Sequence, residues 1–192
     1  MARSRTGGRK APLARSVPED LPSSRPSLAS ATLPRVWQEV GYRPLPDASA
    51  ARPLFDFSAV PWPDRREIAL GWGAWRAAGG GVAATERLVG AVVAESSGRA
   101  LLLHGPVVIA DDGGALEIAA QLVAAVLDHA AAAGAETVFT RPQSLDRVWV
   151  RFGFIPVPES TLPADLAGRP GSGLYAWRGG SALWTLRETA SA

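Results

Sequence analysis

The sequence predicts a mixed α/β fold built on one mostly antiparallel sheet, and a run of strands followed by a long helix supports this. Apolar residues alternate with small or polar ones over Glu67–Trp75. Two further strand candidates, Leu88–Ala94 and Ala100–Ala110, are separated by the turn residues Ser96-Ser97-Gly98. From Ile118 to Ala133 apolar residues then recur at helical spacing. We therefore expect three meander strands with a long helix packed on their sheet.

The elements after the long helix extend the same sheet. Glu136–Thr140 predicts a strand that can pair in parallel with an earlier strand across the helical crossover. Leu145–Arg151 predicts a second, short helix, and Pro156 and Pro158 indicate an interrupted edge strand. A terminal hairpin is expected around Gly179-Gly180, with strands Leu174–Arg178 and Ser181–Arg187.

The first third of the chain has a different character. Residues 1–30 hold six of the 20 basic residues and two of the 18 acidic ones, with no apolar periodicity, which predicts a disordered basic tail. Leu33–Val40 has apolar residues on one face of a helix, and prolines then interrupt the chain up to residue 66. The expected division is a tail over 1–30, an irregular segment with one short helix over 31–66, and the folded domain over 67–192.

Composition excludes several classes of chemistry. The chain has no cysteine, so disulfides, thiolate nucleophiles and cysteine metal sites are ruled out. With two histidines, His104 and His129, no metal is expected. No segment is predicted to span a membrane, and no secretory signal is found at the N-terminus. An arginine- and alanine-rich composition with one lysine, Lys10, indicates a bacterial protein, for which a cytoplasmic location is the default.

Two short motifs carry a resemblance to a known family. Gly113-Gly114 precedes the long helix, and Trp149-Val150-Arg151-Phe152-Gly153-Phe154 closes the short one. With this order of elements, the segment from Glu67 to Arg187 resembles a GCN5-related N-acetyltransferase (GNAT) domain. The resemblance implies that the long helix follows the fourth strand and the short helix precedes the sixth. In the family a tyrosine that often protonates the departing thiolate stands where this chain has Trp149, and indole cannot act as that acid.

The resemblance also implies a set of site residues. His104 would be the catalytic base, although it could instead face the outer side of the sheet or bond locally. Gly105-Pro106 would form a bulge that frees a backbone N–H, from Val107 or Val108, for the thioester carbonyl. The remaining predicted cofactor contacts are Gly113, Gly114, Arg141 and Trp149. Gly113-Gly114 could also be a plain turn. Arg141 could reach a cofactor phosphate or a substrate carboxylate, or could be a solvated strand end. His129 is expected to be a favourable charge near the helix C-terminus.

The function implied is transfer of an acetyl group from acetyl-CoA, as co-substrate, directly to an unidentified small-molecule or protein amine. The alternative is an inactive GNAT-fold binding or regulatory module, which Asp111, Asp112 and Glu117 favour because they place negative charge near the predicted pyrophosphate loop. No membrane or nucleic-acid partner is expected, and a homodimer is left open.

Overall fold

A computed structural model describes residues 27–63, 67–78, 85–110, 113–143, 145–167 and 183–186 of the chain. Most of the predicted tail, the predicted strand Leu174–Arg178 with its Gly-Gly turn, and Asp111 and Asp112 lie outside the described residues. Only part of the predicted last strand, Ser181–Arg187, is described.

The described strands form a single sheet in the order β1-β2-β3-β4-β5-β6-β8-β7. All neighbours are antiparallel except β5 and β6, which are parallel and are joined by the long helix. The last strand inserts between β6 and β7. The strands are β1 Arg35–Trp37, β2 Val40–Pro44, β3 Leu70–Ala78, β4 Thr85–Ser97, β5 Ala100–Val108, β6 Thr137–Thr140, β7 Phe154–Pro156 and β8 Trp184–Leu186.

Four α-helices accompany this sheet in the described ranges: α1 Leu28–Ala31, α2 Arg52–Phe57, α3 Ala115–Ala132 and α4 Asp146–Arg151. Short 3-10 turns lie over Ala48–Ala51 and Glu159–Thr161. Helix α3 ends where Gly134 adopts a φ of +84°, which glycine allows without the strain of a side chain. Counted from β2, α3 follows the fourth strand and α4 precedes the sixth, so the predicted GNAT-like fold class is confirmed.

The predicted helix over Leu33–Val40 is wrong, because this segment forms the β1–β2 hairpin. Its two-residue turn is Gln38-Glu39, and both residues have positive φ angles, of 47° and 64°. Such turns are normally marked by Asn-Gly or Asp-Gly, so the sequence gives no turn signal here. Pairing of β2 with β3 stabilises the hairpin, which shows that tertiary contacts outweigh the local helical spacing.

The two faces of the sheet bury separate apolar clusters. On one face α3 packs against β3, β4 and β5, with Leu122, Val123 and Val126 fully buried. On the other face α2 and the 3-10 turn before it pack Leu54 and Phe55 over β4 and β5. Helix α3 has the length and composition of a membrane span, but its buried side belongs to the core of this domain. The apolar character of α3 is therefore explained by packing on the sheet.

The predicted charge at His129 is contradicted by its surroundings on the α3 face. The indole Nε1–H of Trp72 donates a hydrogen bond to His129 Nδ1 at 3.1 Å. Burial lowers the pKa of His129 below its ordinary value of 6.5, because the imidazolium form loses solvation. His129 is therefore a neutral acceptor that satisfies a buried indole.

Candidate functional site

Strands β5 and β6 separate in the middle of the sheet, and this separation defines the candidate site. Their parallel pairing runs from Ala100 opposite Thr137 to Leu103 opposite Thr140 and ends there. Strand β5 continues for five more residues beside β4 alone. The Thr140 hydroxyl donates to the Leu103 carbonyl at 3.4 Å, at the last paired position. Beyond it, β5 has an edge that no strand covers among the described residues.

A bulge lies in β5 where the two strands separate. The β4–β5 register runs from Val93 opposite His104 to Ala91 opposite Val107, so β5 holds one extra residue at Gly105-Pro106. The predicted irregularity at this dipeptide is confirmed. Gly105 has a φ of +90°, and a Cβ there would lie 3.0 Å from both the Ala91 carbonyl oxygen and the Val107 nitrogen. The bulge therefore requires glycine, and it turns the end of β5.

His104, the last residue before the bulge, faces a buried carboxylate. Its Nε2 lies 3.0 Å from Oε2 of Glu95, which is on β4. The Glu95 side chain is 0% exposed and that of His104 is 9% exposed. A buried carboxylate needs a strong hydrogen-bond donor, and the imidazole N–H supplies it. This pair lies on the α2 face of the sheet, the face opposite α3.

The contact with Glu95 distinguishes the two ring nitrogens of His104 as a hydrogen-bond donor and a proton acceptor. With Glu95 ionised, its carboxylate only accepts hydrogen bonds, and Nε2 of His104 is then the nitrogen that carries the proton. In the neutral ring Nδ1 is then left with the lone pair that can take a proton. Such an arrangement suits a general base, with Glu95 as its positioning residue.

Arg141 follows β6 directly, and it is buried. Its side chain is 6% exposed, and its Nη2 donates to Oε2 of Glu159 at 2.6 Å. Glu159 lies in the 3-10 turn after β7 and is half exposed. The alternative that Arg141 is a solvated strand end is therefore wrong. Among the described residues, Arg141 is the one arginine that is buried.

His104 and Arg141 line the same narrow cleft. The space between them is about 10 Å³, the room for one water-sized atom. The lining residues are Val60, Pro61, Leu102, Leu103, His104, Gly105, Arg141 and Gln143. The structure thus brings together two of the residues that the sequence singled out. In the described ranges no group of His, Asp and Glu side chains could hold a metal ion.

The two predicted oxyanion donors differ in the direction of their amides. Ile109 donates its N–H to the Val89 carbonyl at 2.7 Å. Hydrogen bonds to one neighbour alternate along an antiparallel strand, so the N–H of Val107 also faces β4. The N–H of Val108 therefore faces the side from which β6 has diverged. Of the two, Val108 is the residue whose amide is oriented towards a ligand in the opening.

Gly113 and Gly114 lie at the start of α3, away from the His104 cleft. Gly113 is exposed with a φ of +75°, and Gly114 is the N-cap residue without a side-chain cap. The first turn holds Glu117, which accepts from Gln121 Nε2 at 2.8 Å and lies 3.9 Å from Arg151 Nη1. The helix start could still attract an anion, but Glu117 opposes this. Their role as cofactor contacts stays a prediction.

Beside that helix start lies a second cleft, of about 440 Å³. Tyr42 lines it and is itself buried, and burial together with the Glu117 carboxylate raises the pKa of Tyr42 to about 12. Tyr42 therefore keeps its proton at neutral pH and can only act there as a hydrogen-bonding hydroxyl.

Trp149 lies inside the core on α4. It is 0% exposed, and its ring meets the ring of Phe154 edge to face at a centroid distance of 4.9 Å. Such pairs contribute to packing beyond the area they bury. A contact between Trp149 and a cofactor would require α4 to shift, so that prediction has no support in the geometry.

Three solved structures are similar to this chain. N-acetylglutamate synthase from Neisseria gonorrhoeae, complexed with coenzyme A and N-acetyl-glutamate, is 16% identical over 80% of this chain and 36% of its own, with a TM-score of 0.48. The same enzyme complexed with coenzyme A and L-arginine is 15% identical over 77% and 33%, with a TM-score of 0.49. A probable GNAT-family acetyltransferase from Chromobacterium violaceum is 15% identical over 66% and 80%, with a TM-score of 0.43.

These likenesses concern the fold alone. The chain spans about a third of the length of the two N-acetylglutamate synthase chains. No protein-family model and no curated protein matches the sequence.

Glu95 is the functional candidate that sequence reasoning missed, although a signal for it exists. The two-residue turn Gly98-Arg99 sets the β4–β5 register, with Ser97 opposite Ala100. Counting back from this turn places Glu95 opposite Leu102, diagonal to His104 and on the same face. A carboxylate directly after the apolar run Leu88–Ala94 is itself unusual for a strand that is buried on both faces.

Proposed function

We propose that this protein transfers an acetyl group from acetyl-CoA to an amine, without a covalent acetyl-enzyme. The observation that carries the proposal is the buried Glu95–His104 pair, located where β5 diverges from β6. A general base held by a buried carboxylate, next to an uncovered strand edge, fits amine deprotonation beside an extended thioester substrate. The absence of cysteine from the sequence is consistent with direct transfer.

The proposed reaction requires one proton acceptor and one oxyanion donor. The amine nitrogen attacks the thioester carbonyl carbon, and His104 Nδ1 takes the proton that this nitrogen loses. The Val108 N–H stabilises the negative charge that develops on the carbonyl oxygen. The carbon–sulfur bond then breaks, the nitrogen keeps the acetyl group as an amide, and CoA leaves as a thiolate that is protonated by water.

Two features of the chain assist this reaction without touching the reacting atoms. Phe55 on α2 contacts the bulge, since a Cβ on Gly105 would lie 3.4 Å from its Cζ atom. The apolar cluster around Phe55 excludes water from the α2 face of β5. The absence of water strengthens the interaction between His104 and Glu95.

The bacterial origin and cytoplasmic location stay predictions from composition.

The second candidate function is a GNAT-fold binding module that does not use acetyl-CoA. The position of Glu117 in the first turn of α3 favours it, because a carboxylate there opposes a pyrophosphate. In this case the Glu95–His104 pair would only stabilise the sheet.

Isothermal titration of the protein with acetyl-CoA and with CoA separates the two functions. Binding at micromolar concentrations, followed by CoA release in the presence of amines, is the result expected for the acetyltransferase. No heat and no thermal stabilisation at millimolar ligand would exclude it in favour of the binding module. Acetyl-CoA binding without any amine-dependent CoA release would leave cofactor binding standing and reject His104 as a base.

A further inference from the structure

The guanidinium of Arg141 is buried, but its ion pair with Glu159 uses only one of its three nitrogens. Glu159 accepts from Nη2, whereas Nε and Nη1 have no hydrogen-bond partner among the described residues. A buried donor that lacks a partner is unfavourable, because it has lost its hydrogen bonds to water without replacing them. Buried polar groups are nearly always paired, so donors held in this way call for a ligand as their explanation.

The cleft that the Arg141 side chain lines has room for about one oxygen atom. Arg141 and His104 line the same cleft, whose free volume is about 10 Å³. A ligand can therefore place a single oxygen there while the rest of it stays in the opening between β5 and β6. A carboxylate oxygen matches both the charge of the guanidinium and this size. A phosphate, which is larger and tetrahedral, matches the charge but fits this volume less well.

We infer that Arg141 binds a carboxylate of the amine acceptor, so that the acceptor is an α-amino acid or a similar amine with a nearby carboxylate. This inference rests on the proposed acetyltransferase function and names its acceptor class. In this proposal the carboxylate at Arg141 holds the acceptor in the opening between β5 and β6, on the side of the sheet that carries His104.

The Glu159 carboxylate competes with an incoming carboxylate for the guanidinium of Arg141. Its carboxylate accepts from Arg141 Nη2 at 2.6 Å and offsets part of the guanidinium charge before a ligand arrives. An incoming carboxylate is then placed beside a second negative group, and this repulsion weakens its binding. Removing the charge of Glu159 should therefore strengthen carboxylate binding, whereas removing that of Arg141 should abolish it. Opposite effects of two neighbouring variants separate a binding site from a purely structural ion pair.

The experiment compares amines that differ only in the carboxylate. Acetyl-CoA consumption is measured with the pairs L-alanine and ethylamine, L-leucine and isopentylamine, and L-phenylalanine and 2-phenylethylamine. The amino acid of at least one pair should have a kcat/KM about 10–100-fold above that of its amine, as one charge-assisted contact provides. Arg141→Gln should remove the preference by lowering only the amino-acid value. Arg99→Gln, a change at an exposed arginine paired with Glu136, should preserve it.

Two further arms keep the inference testable if Arg141→Gln does not fold. Glu159→Gln should raise the apparent affinity for the amino acid of the preferred pair by about 3–10-fold, in line with the loss of one screened repulsion. Acetyl-CoA and its 3′-dephospho form are titrated in parallel. A loss of affinity in Arg141→Gln for acetyl-CoA alone would assign Arg141 to the cofactor phosphate and overturn the inference.

The outcomes distinguish this inference from the proposed function. Acetylation of both members of every pair at equal rates overturns the inference while the acetyltransferase stands. If acetyl-CoA does not bind, the same amino acids are titrated directly by calorimetry. Heat that depends on Arg141 then supports a carboxylate site in a protein that is not an acetyltransferase. No heat from any amino acid at millimolar concentration rejects the site as well.

Discussion

The two histidines of this protein lie on opposite faces of one sheet, and their neighbours give them opposite chemistry. His104 Nε2 faces the Glu95 carboxylate at 3.0 Å, so this nitrogen donates. His129 Nδ1 receives the Trp72 indole N–H at 3.1 Å, so this nitrogen accepts. The indole donor is satisfied by a neutral His129 ring, whereas His104 faces a carboxylate that accepts hydrogen bonds when ionised. The partner of each ring, and not the residue type, therefore decides which histidine can serve as a base that accepts a proton.

The surroundings of the two pairs strengthen this difference. Asp128, the neighbour of His129 on α3, is bound by Arg35 at 2.8 Å, and Arg35 also lies 5.9 Å from the centre of the Trp72 ring. On the His129 side, these contacts connect β1 of the N-terminal hairpin to α3 and to Trp72. The His104 side borders the opening between β5 and β6. The Trp72–His129 pair is a structural contact, whereas the Glu95–His104 pair lies at the candidate site.

The largest effect is expected from replacing the two histidines separately. His104→Gln should lower kcat for acetyl transfer by about 10²–10⁴-fold, the usual contribution of a general base. The dissociation constant for acetyl-CoA should stay the same, because His104 does not hold the cofactor. His129→Gln is the matched control and should retain wild-type kcat. Equal losses in both variants, measured by CoA release, would show that fold disruption and not proton transfer causes the effect.

Glu95→Gln tests whether the carboxylate positions His104. An amide nitrogen at this place can donate to Nε2, which moves the ring proton to Nδ1 and removes the lone pair of the base. We expect kcat to fall by about 10²-fold or more with little change in KM, because the ring loses the lone pair that accepts the proton. Glu136→Gln, at an exposed ion pair, is the control. A lower melting temperature with unchanged kcat would instead assign Glu95 a purely structural role.

Gly105→Ala tests the bulge that separates the two strands after His104. Its Cβ would come within 3.0 Å of two backbone atoms, whereas a Cβ on Gly113, also at positive φ, would meet nothing within 4 Å. Both changes cost about 1–2 kcal/mol of unfolding free energy for the left-handed backbone. Gly105→Ala should lose roughly 1–3 kcal/mol more through overpacking. Chemical denaturation of both variants measures the difference, and equal losses would contradict a tightly packed bulge.

The smallest effect is a pH dependence of stability that His129 creates. Because its pKa in the folded chain is below the ordinary 6.5, the unfolded chain binds more protons as the pH falls below that value. The free energy of unfolding should therefore decrease on acidification from pH 6.5 until His129 also protonates in the fold, by at most about 1.4 kcal/mol per pH unit. In His129→Gln this slope should be smaller. An unchanged slope in urea denaturation across pH 5–7 would contradict a neutral buried ring.

Sequence patterns predicted the regular elements that have strong periodicity. The helix expected over Ile118–Ala133 is α3, and the strand expected over Glu136–Thr140 is β6, each within a few residues. The short helix Leu145–Arg151 corresponds to α4. These elements are determined locally, because an apolar stripe of 3.6-residue period or a short apolar run has one stable way of packing on a sheet.

The site was only partly predictable. His104 was identified through the family resemblance, from its strand before Gly105-Pro106, and Arg141 from the strand end that it follows. The structure places both in one cleft. The burial of Arg141 and its contact with Glu159 could not be anticipated, because the turn that carries Glu159 comes after two further elements. Glu95 was missed for a different reason, since its importance depends on the register between β4 and β5.

By itself the sequence determined the order of helices and strands from β3 to β7, the exclusion of cysteine chemistry and the glycine at the β5 bulge. These features depend on residue type and on neighbours within a few positions. Only the tertiary structure decided that Gln38-Glu39 turns a hairpin, that Trp149 is enclosed, and that the two histidines have different partners. The physical reason is that a hydrogen-bond partner or a burial site is supplied by a distant segment, which local patterns do not encode.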